Sequence, residues 1–342
     1  MGAGLYFHIP FCRFKCPYCD FYSVKYEKEL AVKYTNRLIE EIKKYNGSFD
    51  TIYFGGGTPS IIEPELLDKI ITASKNQFDI SKNAEITVEC NPSKNLERDF
   101  EKYAEYGINR VSIGMQSARN EERFALGRSA GQTEVMKAVN DAKKAGITNI
   151  SLDVMLGTPK QTLESLDETF EFIDKANVTH ISAYMLKIEE GTKFFELKDR
   201  LALPDEDTTA EMYLKAVDEL KKLGFNQYEI SNFSKPGFES RHNLKYWLLE
   251  DYLGIGASAH SMGRGKRFYY DSNFNLIDDG TGGSDEEKIM LGLRLTEGVD
   301  KALVKKDYEK FVKIGLMTDK GEKISLTPKG MLVSNFIISE LI

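Results

Sequence analysis

Three clustered cysteines are the residues whose types and spacing most clearly indicate chemistry in this sequence. Cys12, Cys16 and Cys19 follow the pattern C-x3-C-x2-C, whereas Cys90 stands alone. Three thiols this close together, in a chain that we expect to be cytoplasmic, indicate metal ligation rather than a disulfide framework. Three thiolates on one loop can hold three corners of a cubane cluster and leave the fourth iron open to a small molecule. The spacing therefore predicts a [4Fe–4S] cluster with one open iron.

A single zinc ion is the alternative, with His8 or Cys90 as the fourth ligand. Structural zinc ligands usually come as two pairs separated by a longer loop, so we favour iron–sulfur. Cys90 is then interpreted as a small buried apolar residue beside Glu89.

The composition is that of an ordinary globular chain. The 342 residues are 41% hydrophobic and 29% charged, which excludes wholesale disorder. A net charge of −7 without a basic stripe argues against a nucleic-acid partner. The sequence has no apolar run of about 18 residues, as a membrane span needs, and no signal peptide, so we expect a cytoplasmic protein.

The cysteines precede a regular alternation of short β-rich and longer amphipathic stretches, which fills the first two thirds of the chain. The predicted strands are Leu5–Pro10, Thr51–Phe54, Glu85–Cys90, Arg110–Gln116, Asn149–Leu156 and His180–Ile188. The predicted helices are Glu27–Tyr45, Pro64–Asn76, Leu96–Tyr106, Thr133–Ala145, Thr162–Ala176 and Thr208–Leu223. Six successive βα units predict a parallel α/β sheet, either open or curved into a barrel. Two of the βα turns carry Gly-Thr-Pro, in which Thr is expected to cap the next helix.

The alternation stops after Gly224, which predicts a division of the chain into three parts. Residues 1–225 form the repeated βα units, and residues 226–283 are expected to be a loop-rich connecting segment. Residues 284–342 have a helix–helix–ribbon–helix order that predicts a small winged-helix-like domain. Because this part lacks an excess of positive charge, we expect an interaction domain rather than a DNA reader.

The cysteine motif in the loop after the first strand resembles the signature of the radical S-adenosylmethionine (SAM) superfamily. The resemblance implies a partial (β/α)6 barrel and a [4Fe–4S] cluster whose open iron is chelated by SAM. It further implies electron transfer to SAM from an electron donor, with release of a 5′-deoxyadenosyl radical.

A wider set of motifs is similar to the oxygen-independent coproporphyrinogen III oxidase family, over nearly the whole chain. These motifs are His8-Ile9-Pro10-Phe11-Cys12, Gly55-Gly56-Gly57-Thr58-Pro59-Ser60, Ser112-Ile113-Gly114-Met115-Gln116-Ser117, Leu126-Gly127-Arg128, Gly157-Thr158-Pro159-Lys160-Gln161-Thr162, His242-Asn243-Leu244-Lys245-Tyr246-Trp247 and Gly254-Ile255-Gly256.

The family resemblance assigns SAM-binding roles to residues at the carboxyl ends of the strands, where ligands of parallel barrels bind. These residues are Tyr6, Tyr18, Gly56, Gly57, Thr58, Glu89, Gln116, Arg128 and Asp153. The two glycines are expected to let the backbone approach SAM closely, with a tight βα turn as the plainer role. For Glu89, Arg128 or Asp153 taken singly, a structural ion pair is the alternative; the set together favours ligand binding.

The family contains oxidases, which decarboxylate two propionates of coproporphyrinogen III, and a group regarded as heme chaperones. Three features favour the chaperones and leave the oxidase as the alternative. Phe21 stands where the oxidases carry a further cysteine, and only five residues precede Tyr6, which leaves no room for the oxidases' amino-terminal arm. The segment from His242 to Trp247 matches an HNxxYW motif associated with heme binding in the chaperone group.

His242 is therefore the predicted axial ligand of heme iron, and Tyr246 and Trp247 are predicted to pack on the porphyrin. The alternative is that His242 only satisfies nearby polar groups, and His260 is the next candidate ligand. His8 and His180 lie within predicted strands and are interpreted as structural. The resemblance implies heme-accepting respiratory proteins as partners and is compatible with a homodimer.

Overall fold

The structure is a computed structural model that describes residues 2–93 and 96–342; Met1, Lys94 and Asn95 lie outside the description. Its strands, in chain order, are β1 (Ala3–Ile9), β2 (Phe11–Cys12), β3 (Val24–Lys25), β4 (Ser48–Gly56), β5 (Asp79–Cys90), β6 (Arg110–Gln116), β7 (Asn149–Leu156), β8 (His180–Met185), β9 (Asn226–Gln227), β10 (Asn232–Ser234), β11 (Tyr252–Ile255), β12 (His260–Gly263), β13 (Lys266–Tyr270), β14 (Leu276–Thr281), β15 (Val299–Asp300), β16 (Met317–Asp319) and β17 (Lys323–Leu326).

The helices alternate with these strands in the first two thirds of the chain. In chain order they are α1 (Lys28–Ile42), α2 (Pro64–Gln77), α3 (Leu96–Glu105), α4 (Asn120–Ala125), α5 (Gln132–Lys144), α6 (Leu163–Ala176), α7 (Lys193–Glu196), α8 (Glu206–Lys222), α9 (Arg241–Trp247), α10 (Asp285–Gly292), α11 (Glu309–Lys313), α12 (Pro328–Leu332) and α13 (Ser334–Leu341).

One twelve-stranded sheet dominates the fold, in the order β14-β13-β12-β11-β1-β4-β5-β6-β7-β8-β10-β9. The neighbours from β11 to β8 in this order pair in parallel. Six of these parallel strands, β1 and β4 to β8, are the strands predicted from the βα alternation, and the α/β fold class is confirmed. The observed β8 is shorter than predicted and ends at Met185.

Strand β6 shows how the sheet separates an apolar outer side from a polar inner side. Successive side chains of a strand point to opposite faces. Val111, Ile113 and Met115 belong to the buried hydrophobic core, in which the apolar stripes of α2, α5 and α6 also lie. The alternate residues Arg110, Ser112, Gly114 and Gln116 line an interior cavity instead. The inner side of the sheet therefore encloses a cavity lined by these residues.

Glycines end the predicted helices as expected. Gly107, Gly146 and Gly224 follow α3, α5 and α8 and have φ values of +90°, +88° and +85°. A residue without Cβ adopts this left-handed conformation without strain, so these positions stop each helix cleanly.

The two Gly-Thr-Pro turns differ from the prediction that Thr caps the following helix. Thr58-Pro59 opens a short 3-10 turn in which the Thr58 side chain makes no capping bond, and α2 begins only at Pro64. After the second motif, α6 begins at Leu163, and its cap is Thr162, which accepts a hydrogen bond from the Ser165 amide. The hydroxyl of Thr58 has other partners, within the site described below.

The segment 226–283 is not loop-rich, contrary to the sequence expectation. It contains the six strands β9 to β14 and helix α9, and its strands extend both edges of the main sheet. Strand β11 pairs in parallel with β1, while β12, β13 and β14 follow it in antiparallel order. These strands are two to six residues long, and an alternation over so few residues is hard to distinguish from a polar loop.

The carboxyl-terminal residues form helices around a three-stranded sheet of order β15-β17-β16. The predicted ribbon corresponds to β16 and β17, which pair antiparallel. The predicted final helix is divided into α12 and α13. Only residues 282–284 separate the end of β14 from the start of α10. The division of the chain into three parts stays a prediction.

Candidate functional site

The three clustered cysteines lie on the loop that follows β1, at the carboxyl end of the parallel strands. The Tyr26 amide donates to the Cys12 carbonyl at 2.9 Å, which aligns β2 with β3. The Cys19 amide donates to the Cys16 carbonyl at 3.1 Å and closes a tight turn. All three thiols are half-buried and line one cavity of about 540 Å³. This volume lies within the range of about 300–1,000 Å³ that is usual for ligand sites.

Contacts from distant parts of the chain hold this cysteine loop in place. The Phe194 amide, at the start of α7, donates to the Pro17 carbonyl at 2.9 Å. Gly127 has a φ of +72°, and a Cβ on it would lie 2.9 Å from Cδ of Pro17. Residues that follow β6 and β8 in the chain therefore pack against the cysteine loop.

The glycines after β4 make room for protein atoms. A Cβ on Gly57 would lie 2.8 Å from the Phe11 carbonyl oxygen, and a Cβ on Gly56 would lie 2.5 Å from the His8 ring. The Gly57 amide also donates to the Ile9 carbonyl at 2.9 Å. Gly57 thus lets the turn after β4 pack against the start of the cysteine loop, and Gly56 lets the end of β4 pack against β1. This close packing is compatible with the close approach to SAM, which stays a prediction.

A chain of polar contacts connects a cysteine to Arg128. The Cys12 Sγ lies 3.7 Å from the Thr58 Oγ1, which accepts a hydrogen bond from Asn91 Nδ2 at 3.0 Å. Asn91 Oδ1 in turn accepts from Arg128 Nη1 at 2.6 Å. Arg128 Nη2 donates to the Tyr18 hydroxyl at 2.9 Å. Arg128 is therefore held beside the cysteine loop by neutral groups, and its positive charge is available to an anion.

Two carboxyl groups line the same cavity, Glu89 at the end of β5 and Asp153 on β7. Glu89 accepts hydrogen bonds from the Tyr53 hydroxyl at 2.9 Å and from the Gly56 amide at 3.3 Å. Asp153 accepts from the Ser112 hydroxyl at 2.8 Å. Burial raises the pKa of Glu89 to about 7, and the nearby Asp153 charge contributes to the rise. Burial also raises the pKa of Asp153.

The raised pKa of Glu89 predicts a pH dependence of stability. The folded protein binds this proton more tightly than the unfolded chain, whose value is 4.5. Stability should therefore fall as the pH rises from about 4.5 through about 7, by at most about 3 kcal/mol from this group. We expect chemical denaturation of Glu89→Gln, compared with the parent without cofactors, to show a pH dependence smaller by this amount. Identical pH dependence in both proteins would contradict the assignment.

Gln116 ends β6 with a φ of +70°, an uncommon conformation for a residue with a side chain. Its Oε1 accepts a hydrogen bond from the Tyr184 hydroxyl at 3.1 Å. The bend directs the end of β6 into the cavity, whose wall includes both residues.

The structure brings most of the predicted site residues into this one cavity. The predicted residues that line it are Cys12, Cys16, Tyr18, Cys19, Gly56, Gly57, Thr58, Glu89, Gln116, Arg128 and Asp153. Tyr6 and His242 are not part of its wall. The Tyr6 hydroxyl is 3.1 Å from His8 Nδ1, and its ring stacks on Tyr53 with centroids 6.2 Å apart. Tyr6 thus packs against Tyr53, which lines the cavity, without lining the cavity itself. The binding roles assigned to all these residues stay predictions.

His242 has an environment that differs from that of a ligand poised for heme iron. Only 1% of the residue is exposed. Its Nδ1 lies 2.8 Å from the Thr51 hydroxyl, and its Nε2 lies 2.8 Å from the Tyr246 hydroxyl. The ring stacks on Tyr53 with centroids 5.0 Å apart. Burial lowers the pKa of His242 to about 3. Both ring nitrogens are used, so iron ligation by one nitrogen would require its contact to Thr51 or Tyr246 to break, while the other nitrogen keeps its hydrogen bond.

The remaining residues of the HNxxYW segment separate into different surroundings. Asn243 faces the cavity, whereas the Trp247 ring lies under the guanidinium of Arg294, which is 5.0 Å from the ring centroid. His260, the second candidate ligand, is exposed on β12 and stacks on Tyr269. The segment therefore connects the barrel to the carboxyl-terminal residues as well as reaching the cavity.

Several cavity residues were not identified from the sequence. Tyr53, Arg110, Ser112, Ser182 and Tyr184 all point inward from parallel strands. The sequence pattern that could have identified them is a polar residue at every second position of a strand that is buried on both sides, as in β6. At the cavity mouth, Phe14 and Phe21 are 81% and 63% exposed, and Met185 lies beside them in the wall. Lys15 and Lys187 add two cations there.

No helix within the described ranges combines the length and the apolar character that a membrane span requires.

Comparison with known families places two regions of the chain. Residues 6–173 match the Radical SAM superfamily, and residues 286–333 match the HemN C-terminal domain. The chain is 34% identical to the heme chaperone HemW of Lactococcus lactis subsp. lactis, over 98% of this chain and 96% of that protein. It is also 34% identical to the heme chaperone HemW of Bacillus subtilis, over 96% of both chains.

Among solved structures, coproporphyrinogen III oxidase (HemN) from Escherichia coli, described as a radical SAM enzyme, superposes with a TM-score of 0.84. The match covers 99% of this chain and 90% of that chain at 20% sequence identity. Identity this low establishes a shared fold and leaves the reaction open.

Proposed function

Because this chain belongs to the HemW family of heme chaperones, within the radical SAM superfamily, we propose that it binds heme and delivers it to acceptor proteins. The observation that carries the proposal is the identity to these chaperones over almost the full length of both chains. The similarity to coproporphyrinogen III oxidase supports the common fold only.

The cysteine loop supports a [4Fe–4S] cluster, with Cys12, Cys16 and Cys19 as its ligands. The three half-buried thiols line one cavity on a loop fixed by backbone hydrogen bonds. Cys90 also borders this cavity, but it is only 3% exposed within the hydrophobic core, and burial raises the pKa of its thiol. A buried neutral thiol is a poor ligand, because metals bind the thiolate. The fourth iron would therefore stay open to SAM, which supplies radical chemistry in this superfamily.

The polar wall beside the cluster supports SAM binding. SAM carries an amino group, a carboxylate, a ribose and a sulfonium. Arg128, held by Tyr18 and Asn91 without a carboxylate partner among the described residues, is suited to an anionic group. Glu89, Asp153 and Gln116 offer acceptors for hydroxyl and amino groups in the same cavity wall. These residues bind and orient the ligand.

The mouth of the cavity supports heme binding. The exposed apolar side chains of Phe14, Phe21 and Met185 line this mouth and can pack on the faces of a planar macrocycle. Respiratory proteins as acceptors, an electron donor for the cluster and a homodimer belong to the same proposal.

Hemin titration tests the function. The full chain, reconstituted anaerobically with iron and sulfide, should give a saturable Soret band with hemin, with one heme bound per chain. With SAM, a reductant and coproporphyrinogen III, it should form no protoporphyrinogen above a control without protein. The absence of saturable hemin binding would refute the chaperone. SAM-dependent protoporphyrinogen formation would establish the oxidase instead.

A further inference from the structure

Arg110 is a buried cation that has no visible partner. The residue is 1% exposed, and its Nε and Nη1 atoms are buried without a hydrogen-bond partner among the described residues. Buried polar groups are nearly always hydrogen-bonded, and a buried charge without a counter-ion is strongly unfavourable. The side chain also lines the cavity. Such a group in a cavity wall indicates that a ligand completes its contacts.

The position of Arg110 places it at the far end of the cavity from the cysteine loop. It is the first residue of β6, and Gln116 at the other end of the strand lies beside the proposed SAM site. At about 3.3 Å per residue, the strand between them measures about 20 Å. Arg110, Ser112, Gly114 and Gln116 all line the cavity, so the cavity runs along the whole strand. Arg110 therefore belongs to its floor.

The groups around Arg110 compensate its charge only in part. Glu89 and Asp153 accept hydrogen bonds from Tyr53 and Ser112, and neither forms an ion pair with Arg110. Burial raises the pKa of both carboxyl groups, that of Glu89 to about 7, and the positive charge of Arg110 opposes the rise in each. His180 and His242 are neutral here, because burial lowers the pKa of each.

We infer that Arg110 is a binding residue for a carboxylate of the ligand that fills the cavity, namely a propionate group of heme. The inference rests on the proposed function, which supplies a ligand with two propionates. A guanidinium offers a planar fork of donors that matches a carboxylate. Asn243 in the same wall adds an amide donor, which gives the HNxxYW segment a direct contact with the ligand.

A comparison of two ligands tests this without any mutation. Hemin and hemin dimethyl ester share the macrocycle and the iron, but the ester has no carboxylate. Titrated under identical conditions into the anaerobically reconstituted full chain, hemin should bind at least about tenfold more tightly, as expected for a hydrogen bond to a charged group. Equal affinities would overturn the inference.

Substitutions of single cations then identify the residue that contacts the carboxylate. Arg110→Met should lose most of the preference for hemin over the ester, and Arg110→Lys should keep part of it. Lys33→Met removes an exposed cation of α1 outside the cavity and serves as the matched control, with the preference retained. Lys187→Met removes a cation at the cavity mouth and tests the mouth as the alternative carboxylate site. If the preference is lost with Lys187→Met and kept with Arg110→Met, propionates bind at the mouth and the inference is wrong. Should Arg110→Met fail to fold, the ester comparison and Arg110→Lys still decide.

These measurements distinguish a failure of the Arg110 inference from a failure of the proposed function. Without saturable hemin binding by the parent protein, the proposed function fails and the inference fails with it. Saturable binding of hemin and its ester with equal affinity refutes the inference alone. SAM binding, measured separately, should be unchanged in Arg110→Met. Loss of SAM affinity with the hemin preference intact would assign Arg110 to SAM and overturn the inference.

Discussion

Replacement of any one of Cys12, Cys16 and Cys19 by alanine is expected to abolish the broad iron–sulfur absorbance of the anaerobically reconstituted protein. Each thiolate would hold one iron of the cluster, and the structure places all three in one cavity wall on a tightly fixed loop. Iron and acid-labile sulfide analysis of each purified variant, together with its absorbance spectrum, measures the effect. We expect both contents to fall to background.

Cys90→Ala is the matched control, because it removes the fourth cysteine and leaves the loop untouched. Cys90 is buried in the core, where its Sγ lies 3.7 Å from the Val88 carbonyl. Its loss should leave iron and sulfide content largely unchanged. Full loss of the cluster in a Cys90→Ala variant that still folds would mean four thiolate ligands, and the open iron would then be wrong.

His242→Ala is expected to destabilise the fold strongly. The substitution empties a buried site between Tyr53 and Tyr246 and leaves the hydroxyls of Thr51 and Tyr246 without their partner. The cavity and the unsatisfied groups together cost about 3–5 kcal/mol. Denaturant unfolding followed by circular dichroism measures the change. In contrast, His260→Ala at an exposed position should change the free energy of unfolding by less than about 0.5 kcal/mol.

The same variant decides between the structural and the heme-ligating role of His242. Hemin affinity, expressed per folded molecule, should be close to that of the parent if the ring only supports Tyr53. An altered Soret band with an unchanged free energy of unfolding would instead establish His242 as the axial ligand. Under that outcome, either the contact to Thr51 or the contact to Tyr246 would have to open when heme binds.

The sequence was most informative where long periodic segments or close-spaced functional residues carry the signal. The bounds of β6 and β7 agree with the predicted strands to the residue. The cysteines and eight of the predicted SAM residues line one cavity, because the carboxyl ends of parallel strands converge at one edge of a barrel. Both results follow from local pattern and parallel topology alone.

Predictions were poorer where the outcome depends on contacts between distant residues. The sequence predicts Arg110 only as the start of a strand, because the missing partners of its Nε and Nη1 atoms among the described residues depend on the positions of the opposing strands. The roles of Gly56 and Gly57 depend on their contact with the His8 ring and the Phe11 carbonyl. The strands of 226–283 are defined by pairing partners more than by their own short sequences.

The parallel pairing of β1 with β11 has a consequence for the order in which the molecule acquires its structure during synthesis. Gly4 pairs with Tyr252, so the first strand gains one of its two neighbours only when most of the chain exists. Pairings of such high contact order form late, since a long loop must close first. The cysteine loop follows β1 directly, and the turn after β11 contacts His8 at Gly256. The loop that holds the thiols is therefore expected to reach its final geometry late in folding, after β11 has paired with β1.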